Sequence, residues 1–317
     1  MEPRRQRPKI VVADDHPSVF ANSAAASALR EFAGLTVFTE PGAESETELV
    51  RRIGDADGVI NIRAYAKYTE PVLALCPKLK VISIWGTGTD NVDLAACERR
   101  GVTVKNTPGV NANAVAEHAI TLMLSVLRKV SSMDADLRAG RWARAPLAQL
   151  EGKIVGIVGF GAIGRRVAKL AAAFGATILV HTQTPDNGRA AALGARAVSL
   201  DELLRESDVV SLNLRLEPET AGFLGRERLA SMKRTAILIN TARGALVNTA
   251  ALLDALATGT IAGAGLDVFH EEPIPPGDPI LSAPNVVLTP HVAGNTPEVI
   301  AAGLDQAVTN LRQFFGA

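Results

Sequence analysis

The residues that decide the fold run from Lys153 to Gly164 and read KIVGIVGFGAIG. An apolar, β-branched run leads into a G-x-G-x-x-G arrangement, and the residues that follow, RRVAKLAAAF, have the composition of a helix. The first glycine permits a tight turn, the second lets a pyrophosphate approach the backbone, and the third allows close helix–strand packing. The stretch therefore predicts a phosphate-binding turn at a helix N-terminus. The candidate dinucleotide-binding residues of this turn are Gly159, Phe160, Gly161, Ala162, Ile163 and Gly164.

Strand-like runs alternate with helical stretches along the rest of the chain. Continuous β-branched runs, each followed by a helical segment, lie among others at residues 10–13, 58–62, 80–85, 208–214 and 236–240. Such runs are typical of parallel sheets that helices cover on both faces. A chain of 317 residues is also long for a single core. The sequence therefore predicts an α/β fold with two doubly wound parallel sheets.

The predicted boundary between two domains lies near Asn106–Asn111. There Asn-Thr-Pro-Gly ends a strand, and an alanine-rich helix follows from about Ala112 to Val130. A second break follows Pro290, and the one helix after it can return to the first domain. We therefore expect residues 1–106 and 292–317 to form a substrate domain and residues 107–291 to form a dinucleotide-binding domain.

Composition argues against several classes of function. Lys+Arg and Asp+Glu number 33 each, so the net charge is zero, which argues against a broad nucleic-acid-binding surface. No apolar run reaches membrane-spanning length, and no signal-peptide core follows the start MEPRRQRPKI. Cys76 and Cys97 lack the spacing of a metal site, so we expect no metal and a reduced, cytoplasmic compartment.

The end of the strand after the glycine turn bears on the choice between NAD and NADP. An acidic residue commonly bonds the adenosine ribose there, but this chain has HTQ (181–183) and no carboxylate between residues 165 and 185. The strand end also lacks an arginine, and Arg189 is the nearest one. Thr182 and Gln183 could bond the 2′-hydroxyl instead. The sequence does not decide between NAD and NADP. We expect the kcat/KM values measured with the two cofactors to lie within about two decades of each other.

Three charged side chains follow strand ends in the second half of the chain. Arg243 follows AILIN, Glu272 lies in LDVFHEEP, and His291 follows NVVLTP. The carboxyl ends of parallel strands face one crevice, so these side chains can converge. Hydride addition to a 2-oxo acid needs a cation for the carboxylate and carbonyl, and an acid that protonates the forming alkoxide. An imidazole with a carboxylate partner suits the second role, so this set has the groups that reduction of a 2-oxo acid needs.

Other assignments compete with these. His270 is a rival acid–base residue, although it lies on the same segment as the expected partner Glu272. The Thr-Pro pair before His291 holds its backbone rigidly, which favours His291. His118, inside AVAEHAITLML, suits a packed or partnered position on a helix. Arg243 could instead be a structural ion-pair partner.

With these residues in view, the sequence resembles the D-isomer-specific 2-hydroxyacid dehydrogenases over nearly the whole chain. The resemblance implies a Rossmann dinucleotide-binding domain inserted in a flavodoxin-like substrate domain. The motifs that carry it are, in chain order, GTGTDNVD (86–93), NTPGVN (106–111), VAE (115–117), GFGAIG (159–164), INTARGALV (239–247), LDVFHEEP (266–273) and TPHVAGNTPE (289–298).

The resemblance also implies roles for single residues. Arg243 would grip the substrate, Glu272 would pair with His291, and His291 would be the acid–base residue. Asp267 and the Thr241 region would line the nicotinamide end of the cofactor site. Two loops of the first domain would hold the substrate. Our candidates from them are Arg63, Ala64, Trp85, Gly86, Thr87 and Gly88.

The chain departs from the family after the strand DVVSL. Where many members have His-x-Pro, this chain has Asn213-Leu214-Arg215, at a position that lies near the adenine in the family. We take Leu214 and Arg215, together with Thr220 and Gly294, as further candidates for cofactor contacts.

Two other classes of function compete with the enzyme. A dinucleotide-sensing, corepressor-like protein could use the same fold. A receiver domain would match the acidic stretch Ala13–Pro17, but its phosphoacceptor position holds Asn61. The sequence does not identify the substrate, and the candidates are phosphoglycerate, hydroxypyruvate, glyoxylate and bulkier 2-oxo acids. We expect a homodimer that binds a small-molecule acid, without nucleic-acid or membrane partners.

Overall fold

A computed structural model describes residues 7–63, 65–182 and 187–317. The chain folds as two compact units. Unit 1 consists of Met1–Asn111 and Thr296–Ala317, and unit 2 consists of Ala112–Asn295. Each unit is built around one parallel sheet, which confirms the predicted fold class of two α/β domains.

Strands and helices alternate along most of the chain, except that α6 follows α5 directly and only a short 3-10 helix separates β11 from β12. The strands are β1 (Lys9–Val12), β2 (Gly34–Val37), β3 (Gly58–Asn61), β4 (Val81–Ile84), β5 (Thr103–Lys105), β6 (Ile154–Val158), β7 (Thr177–His181), β8 (Arg196–Ala197), β9 (Val209–Leu212), β10 (Ile237–Asn240), β11 (Gly263–Leu266) and β12 (Val286–Leu288). The helices are α1 (Ala24–Phe32), α2 (Glu46–Ile53), α3 (Glu70–Ala74), α4 (Leu94–Arg99), α5 (Ala112–Arg128), α6 (Val130–Arg138), α7 (Ala162–Ala173), α8 (Asn187–Ala192), α9 (Leu200–Glu206), α10 (Arg226–Ala230), α11 (Thr249–Ala257) and α12 (Pro297–Phe315). Within the described ranges, no helix combines the length and the apolar character that crossing a membrane requires.

The sheet of unit 1 has the strand order β2-β1-β3-β4-β5, with every pair parallel. This is the order of flavodoxin-like folds. Strands β3 and β4 are buried along their whole length because helices cover both faces. The last helix, α12, belongs to this unit and buries Leu304, Ala307 and Leu311 in the same core as Ile10 and Val81.

The sheet of unit 2 has the order β12-β11-β10-β9-β6-β7-β8 and is also parallel throughout. Strand β6 lies between β7 and β9, so the strand order reverses at its carboxyl end. One apolar core includes α5, α7 and parts of β6 and β7, and a second includes α9, α11 and parts of β9 and β11. A ligand of such a sheet binds at the strand ends where the order reverses.

Helix α5 agrees with the predicted helix from about Ala112 to Val130 and stops two residues before its expected end. Helix α5 ends at Arg128, and Lys129 adopts a left-handed backbone conformation with φ 50°. A new helix, α6, starts at Val130. Neither glycine nor proline marks this stop in the sequence, so the local pattern could not show it.

Candidate active site

Three turns of unit 2 lie side by side because of the register of β10, β11 and β12. Asn240 pairs with Leu266, and Leu266 pairs with Leu288. The three strands therefore end at the same level of the sheet. The turns that follow them carry the predicted catalytic residues Arg243, Glu272 and His291.

Asp267, directly after β11, is fully buried and holds the turn that carries His291. Its carboxylate accepts hydrogen bonds from the backbone amides of Val292 and Ala293, each at 2.9 Å, and from Thr289 Oγ1 at 2.6 Å. Its carbonyl oxygen accepts the amide of His291 at 2.8 Å. His291 has φ 52°, which few residues other than glycine adopt. Non-glycine residues in this region persist where surrounding structure determines them, often at functional sites.

His118 of α5 extends this network. Its Nε2 lies 2.9 Å from Thr289 Oγ1 and 3.5 Å from Asp267 Oδ1. Because Thr289 donates its only hydroxyl proton to Asp267, the ring N–H of His118 donates to Thr289 Oγ1. Burial raises the pKa of Asp267, but the bonds from His118, Thr289 and the two backbone amides outweigh burial and keep that pKa below its ordinary value. Asp267 is thus a buried anion.

This role of Asp267 escaped the sequence analysis, which placed the residue only beside the nicotinamide. A usable signal was present, since Asp267 is a lone carboxylate between apolar Leu266 and Val268. A carboxylate buried in such a run must find hydrogen-bond donors. The identity of those donors follows from the fold, because His118 and the amides of Val292 and Ala293 are distant in sequence.

His291 and Glu272 form the predicted pair. His291 Nδ1 donates to Glu272 Oε2 at 2.7 Å, and the amide of Phe269 donates to Glu272 Oε1 at 2.9 Å. Both side chains are partly open to solvent, with 44% of the His291 side chain and 35% of the Glu272 side chain exposed. The rival His270 is exposed and has no hydrogen bond within the part of the chain that the structure describes.

The charge state of Glu272 determines which nitrogen of His291 carries a proton. Burial raises the pKa of Glu272, but hydrogen bonds from His291 and Phe269 and the positive charges of His291 and Arg243 together hold it below its ordinary value. An ionised carboxylate can only accept a hydrogen bond. Nδ1 of His291 is therefore the protonated donor to Glu272, and Nε2 is the nitrogen left for a reacting group.

Arg243 is placed by its own turn. The side chain of Asn240 accepts the amide of Ala242 at 3.0 Å and donates to the carbonyl of Arg243 at 2.9 Å. Arg243 Nη1 also donates to the carbonyl of Ala242 at 2.8 Å. A Cβ on Gly244 would lie 2.0 Å from the backbone of Phe269, so this turn packs directly on the segment that carries Glu272. Consistent with that, the charge of Arg243 lowers the pKa of Glu272.

The glycine turn between β6 and α7 has the shape that a dinucleotide pyrophosphate requires. Gly159 has φ 93°, and a Cβ there would lie 2.5 Å from the carbonyl oxygen of Asn213. A Cβ on Gly164 would lie 2.1 Å from the carbonyl oxygen of Gly159. Around Gly161, by contrast, nothing lies within 4 Å of the Cβ position, so the backbone is open at the N-terminus of α7. Phe160 is buried, Ile163 is half-buried and Ala162 is exposed.

Two buried polar atoms near the strand ends lack a partner within the described part of the chain. They are Thr241 Oγ1, after β10, and Asn213 Oδ1, after β9. A polar atom left unpaired in a buried position costs free energy unless a ligand satisfies it. Both atoms, with the open glycine turn, fit a bound dinucleotide.

The remaining cofactor candidates occupy varied positions. Thr182 is half-buried at the end of β7, and Gln183 lies outside the described residues. Leu214 is half-buried and Arg215 exposed, while buried Thr220 donates to the carbonyl of Arg215 at 2.8 Å and so braces that loop. Gly294 is half-buried in the turn after His291.

The predicted substrate loops belong to unit 1 and follow β3 and β4. Arg63 donates from Nη2 to the carbonyl of Pro17, and Ala64 lies outside the described residues. The Trp85 ring packs on α12, where a Cβ on Gly303 would lie 2.1 Å from its Nε1. The amide of Gly86 donates a hydrogen bond to Thr107 Oγ1 at 2.8 Å. Thr87 and Gly88 are half-buried, and their amides have no backbone acceptor within the described part of the chain.

Comparison with known proteins identifies the family. Residues 120–293 match the NAD-binding domain of the D-isomer specific 2-hydroxyacid dehydrogenases. The chain belongs to this family. It is therefore an oxidoreductase that uses NAD or NADP to interconvert 2-oxo and 2-hydroxy acids.

Individual relatives cover most of the chain. It is 39% identical over 298 residues to a glyoxylate reductase of Korarchaeum cryptofilum, covering 91% of this chain and 88% of that protein. It is 42% identical over 263 residues to a D-3-phosphoglycerate dehydrogenase of Mycobacterium tuberculosis, covering 82% of this chain and 49% of that protein. The crystal structure of a glyoxylate reductase from Paecilomyes thermophila has 33% identity and a TM-score of 0.87, with coverages of 96% and 94%. These relatives lend no support to the dinucleotide-sensing alternative.

Proposed function

We propose that this chain reduces a small 2-oxo acid to the D-2-hydroxy acid, with unit 2 as the dinucleotide-binding domain and unit 1 as the substrate domain. The 2.7 Å hydrogen bond between His291 Nδ1 and Glu272 carries the proposal, because it leaves Nε2 to serve as an acid. When bound, the reduced nicotinamide dinucleotide supplies the hydride. The glycine turn at α7, with Thr241 and Thr182, would hold that cofactor.

His291 is the proposed general acid. In the doubly protonated state its Nδ1 proton stays with Glu272, and its Nε2 proton goes to the oxygen of the carbonyl that is being reduced. The hydrogen bond from His291 and the charge of its protonated ring help to hold the pKa of Glu272 below its ordinary value. The Asp267 network fixes the backbone on either side of His291, so the ring is oriented before substrate arrives. Glu272 and Asp267 are thus positioning residues for His291.

Arg243 is the proposed substrate-gripping residue. Its guanidinium can donate to the substrate carboxylate and to the carbonyl oxygen at the same time, because its donors form a planar fork. Negative charge develops on that carbonyl oxygen during reduction, so a fixed cation beside it lowers the barrier. In unit 1, the amides of Thr87 and Gly88 and the side chain of Arg63 are our proposed further donors to the acid.

The substrate is best tested with a panel. Initial rates of NADH and NADPH oxidation with glyoxylate, hydroxypyruvate, 3-phosphohydroxypyruvate and a bulkier 2-oxo acid would rank them by kcat/KM. We expect glyoxylate or hydroxypyruvate to lead, since the candidate donors are few and suit a small acid. Chiral analysis of the product should give the D-isomer. Absence of turnover with all four acids and both cofactors would contradict the proposed function.

Glu272→Gln tests the acid pair through its pH dependence. Removing the carboxylate charge takes away the group that favours protonated imidazole, so the alkaline limb of the reduction profile should move to lower pH. We expect a smaller loss of kcat than removal of His291 causes. The measurement is kcat/KM for the 2-oxo acid against pH, with Glu271→Gln as the control on the neighbouring exposed carboxylate. An unmoved alkaline limb would mean that Glu272 is not the partner.

We also propose that a second copy of the chain covers α6 and the loop after it. Helix α6 buries none of its residues. Large apolar side chains are exposed along this segment, namely Val130, Leu137, Trp142 at 76% and Leu147. A concentration of exposed apolar side chains marks an interaction surface. In a two-fold homodimer, this segment of one copy would pack against the same segment of the other copy. Two-fold dimers are the commonest closed assembly.

Charges placed on this surface test the dimer. Sedimentation of the wild-type chain should give about twice its 33.3 kDa mass. Leu137→Asp combined with Trp142→Ser should shift the protein to the monomer, since a desolvated charge opposes association. Leu75→Asp, at an exposed leucine of unit 1, is the control and should leave the dimer intact. A wild-type protein that sediments as a monomer would contradict this assembly.

A further inference from the structure

A cationic pocket lies in unit 2 between α7 and α8. Its volume is about 570 Å³, and its polar lining residues are Arg165, Arg166, Lys169 and Arg189. Its other lining residues are Ala162, Ala192 and Leu193, and the pocket is shallow and largely open to solvent. Within the part of the chain that the structure describes, no carboxylate lines it. The three cations that α7 contributes to this surface favour an anionic ligand.

The cations of α7 lie on one face of the helix because of their spacing. Ala162, Arg165, Arg166 and Lys169 are three or four residues apart, which places them on neighbouring turns of the same face. Like charges at these spacings repel and weaken a helix. Within the described ranges, neither Arg166 nor Lys169 forms an ion pair that would offset this repulsion, and Arg165 donates only to the carbonyl of Phe160 at 3.3 Å. An anion in the pocket would remove the repulsion.

The pocket adjoins both the glycine turn, through Ala162, and the helix that follows β7, the strand whose end contacts the adenosine ribose in this type of fold. The amide of Gly159 donates to the carbonyl of His181 at 2.8 Å, so the end of β7 is in contact with the turn. Helix α8 follows β7 and packs into the same core as α7, through Ala190 and Val167. In dinucleotide-binding folds, the residue at the end of the strand that corresponds to β7 forms a hydrogen bond with the ribose 2′-hydroxyl of NAD. An arginine near that position accommodates the 2′-phosphate of NADP. Ala162 belongs both to the turn and to the pocket.

We propose that this pocket binds the 2′-phosphate of NADP(H), and that the chain therefore prefers NADP(H) to NAD(H). The inference rests on the proposed function, since it assigns a subsite of the same dinucleotide site. The end of β7 by itself predicts weak discrimination, because it has neither an acid nor an arginine. The deciding cations come instead from α7, with Arg166 and Lys169 as the main contributors. A phosphate dianion forms charge-assisted hydrogen bonds with such donors, and these bonds are strong.

The affinities of the full chain for two adenine nucleotides, measured separately, test whether the pocket binds the 2′-phosphate. Isothermal titration should show that 2′,5′-ADP binds at least about tenfold more tightly than 5′-ADP, which lacks the 2′-phosphate. Arg166→Gln combined with Lys169→Gln should remove most of that advantage and leave 5′-ADP affinity nearly unchanged. The advantage should also shrink with added salt. Arg205→Gln, at an exposed arginine of α9, is the matched control and should leave both affinities unchanged.

The outcomes separate this inference from the proposed function. If 2′,5′-ADP binds no more tightly than 5′-ADP, the pocket does not bind the 2′-phosphate and the inference fails, while the dinucleotide site stands. If the double variant weakens both ligands equally, the cations serve the shared part of the nucleotide, and the inference fails as well. If the wild-type chain binds neither ligand, the proposed dinucleotide site itself is wrong. A KM for NADPH well below that for NADH would support the inference, and equal KM values for the two cofactors would count against it.

Discussion

Replacing His291 with alanine is expected to lower kcat for 2-oxo acid reduction by roughly 10²–10⁴-fold, the usual contribution of a general acid. The variant keeps Glu272 and Arg243 but has no group that can deliver a proton from the position of Nε2. Steady-state rates at saturating substrate measure the loss. Titration of NADH or NADPH by nucleotide fluorescence should show nearly unchanged cofactor affinity, because the glycine turn is a separate part of unit 2.

His270→Ala is the matched control for this experiment. His270 lies on the same segment as Glu272, is exposed, and makes no hydrogen bond within the described part of the chain. Its loss should change kcat by less than about threefold, as surface substitutions have small effects. Turnover that survives His291→Ala and collapses in His270→Ala would reverse the assignment. Loss of cofactor affinity in His291→Ala would instead indicate a disturbed turn, since His291 has a left-handed φ.

Arg243→Lys is expected to lower kcat/KM for the 2-oxo acid by roughly 10²–10³-fold, although the charge is kept. Lysine offers a single ammonium in place of a planar fork, so it cannot hold the carboxylate and the carbonyl oxygen together. The side chain of Asn240 positions the Arg243 backbone in either case, so the turn itself should persist. The measurement is kcat/KM for the acid alongside the dissociation constant of the dinucleotide.

The control for this substitution lies at the other end of the same strand. Arg234 is exposed just before β10, whereas Arg243 follows its carboxyl end, so Arg234→Lys makes the same chemical change away from the site. It should leave kcat/KM unchanged. Equal weakening of dinucleotide binding and of acid turnover by Arg243→Lys would point to a structural role for Arg243. Thermal unfolding of the variant would then show a matching loss of stability.

Much of this protein could be predicted from local sequence. The continuous apolar runs predicted parallel strands, because only strands buried on both faces tolerate such runs. The G-x-G-x-x-G turn predicted its own geometry, since only glycine accepts φ 93° at Gly159 and the close contact at Gly164. Arg243, Glu272 and His291 could be expected at one edge of the sheet, because each follows a strand and parallel strands end at a common edge. The end of α5 was predicted to within two residues, but the left-handed turn at Lys129 and the start of α6 at Val130 were not, since no glycine or proline there signals a break.

The tertiary structure decided what those residues contact. Asp267, Thr289 and His118 are far apart in the chain, and only the pairing of β11 with β12 and the packing of α5 bring them together. Our proposal that Nε2 is the reactive nitrogen of His291 likewise depends on the observed bond from Nδ1 to Glu272. The pocket beside the cations of α7 also exists only because α8 packs next to α7. In each case the deciding contacts join segments distant in sequence, and no local pattern encodes which of them meet.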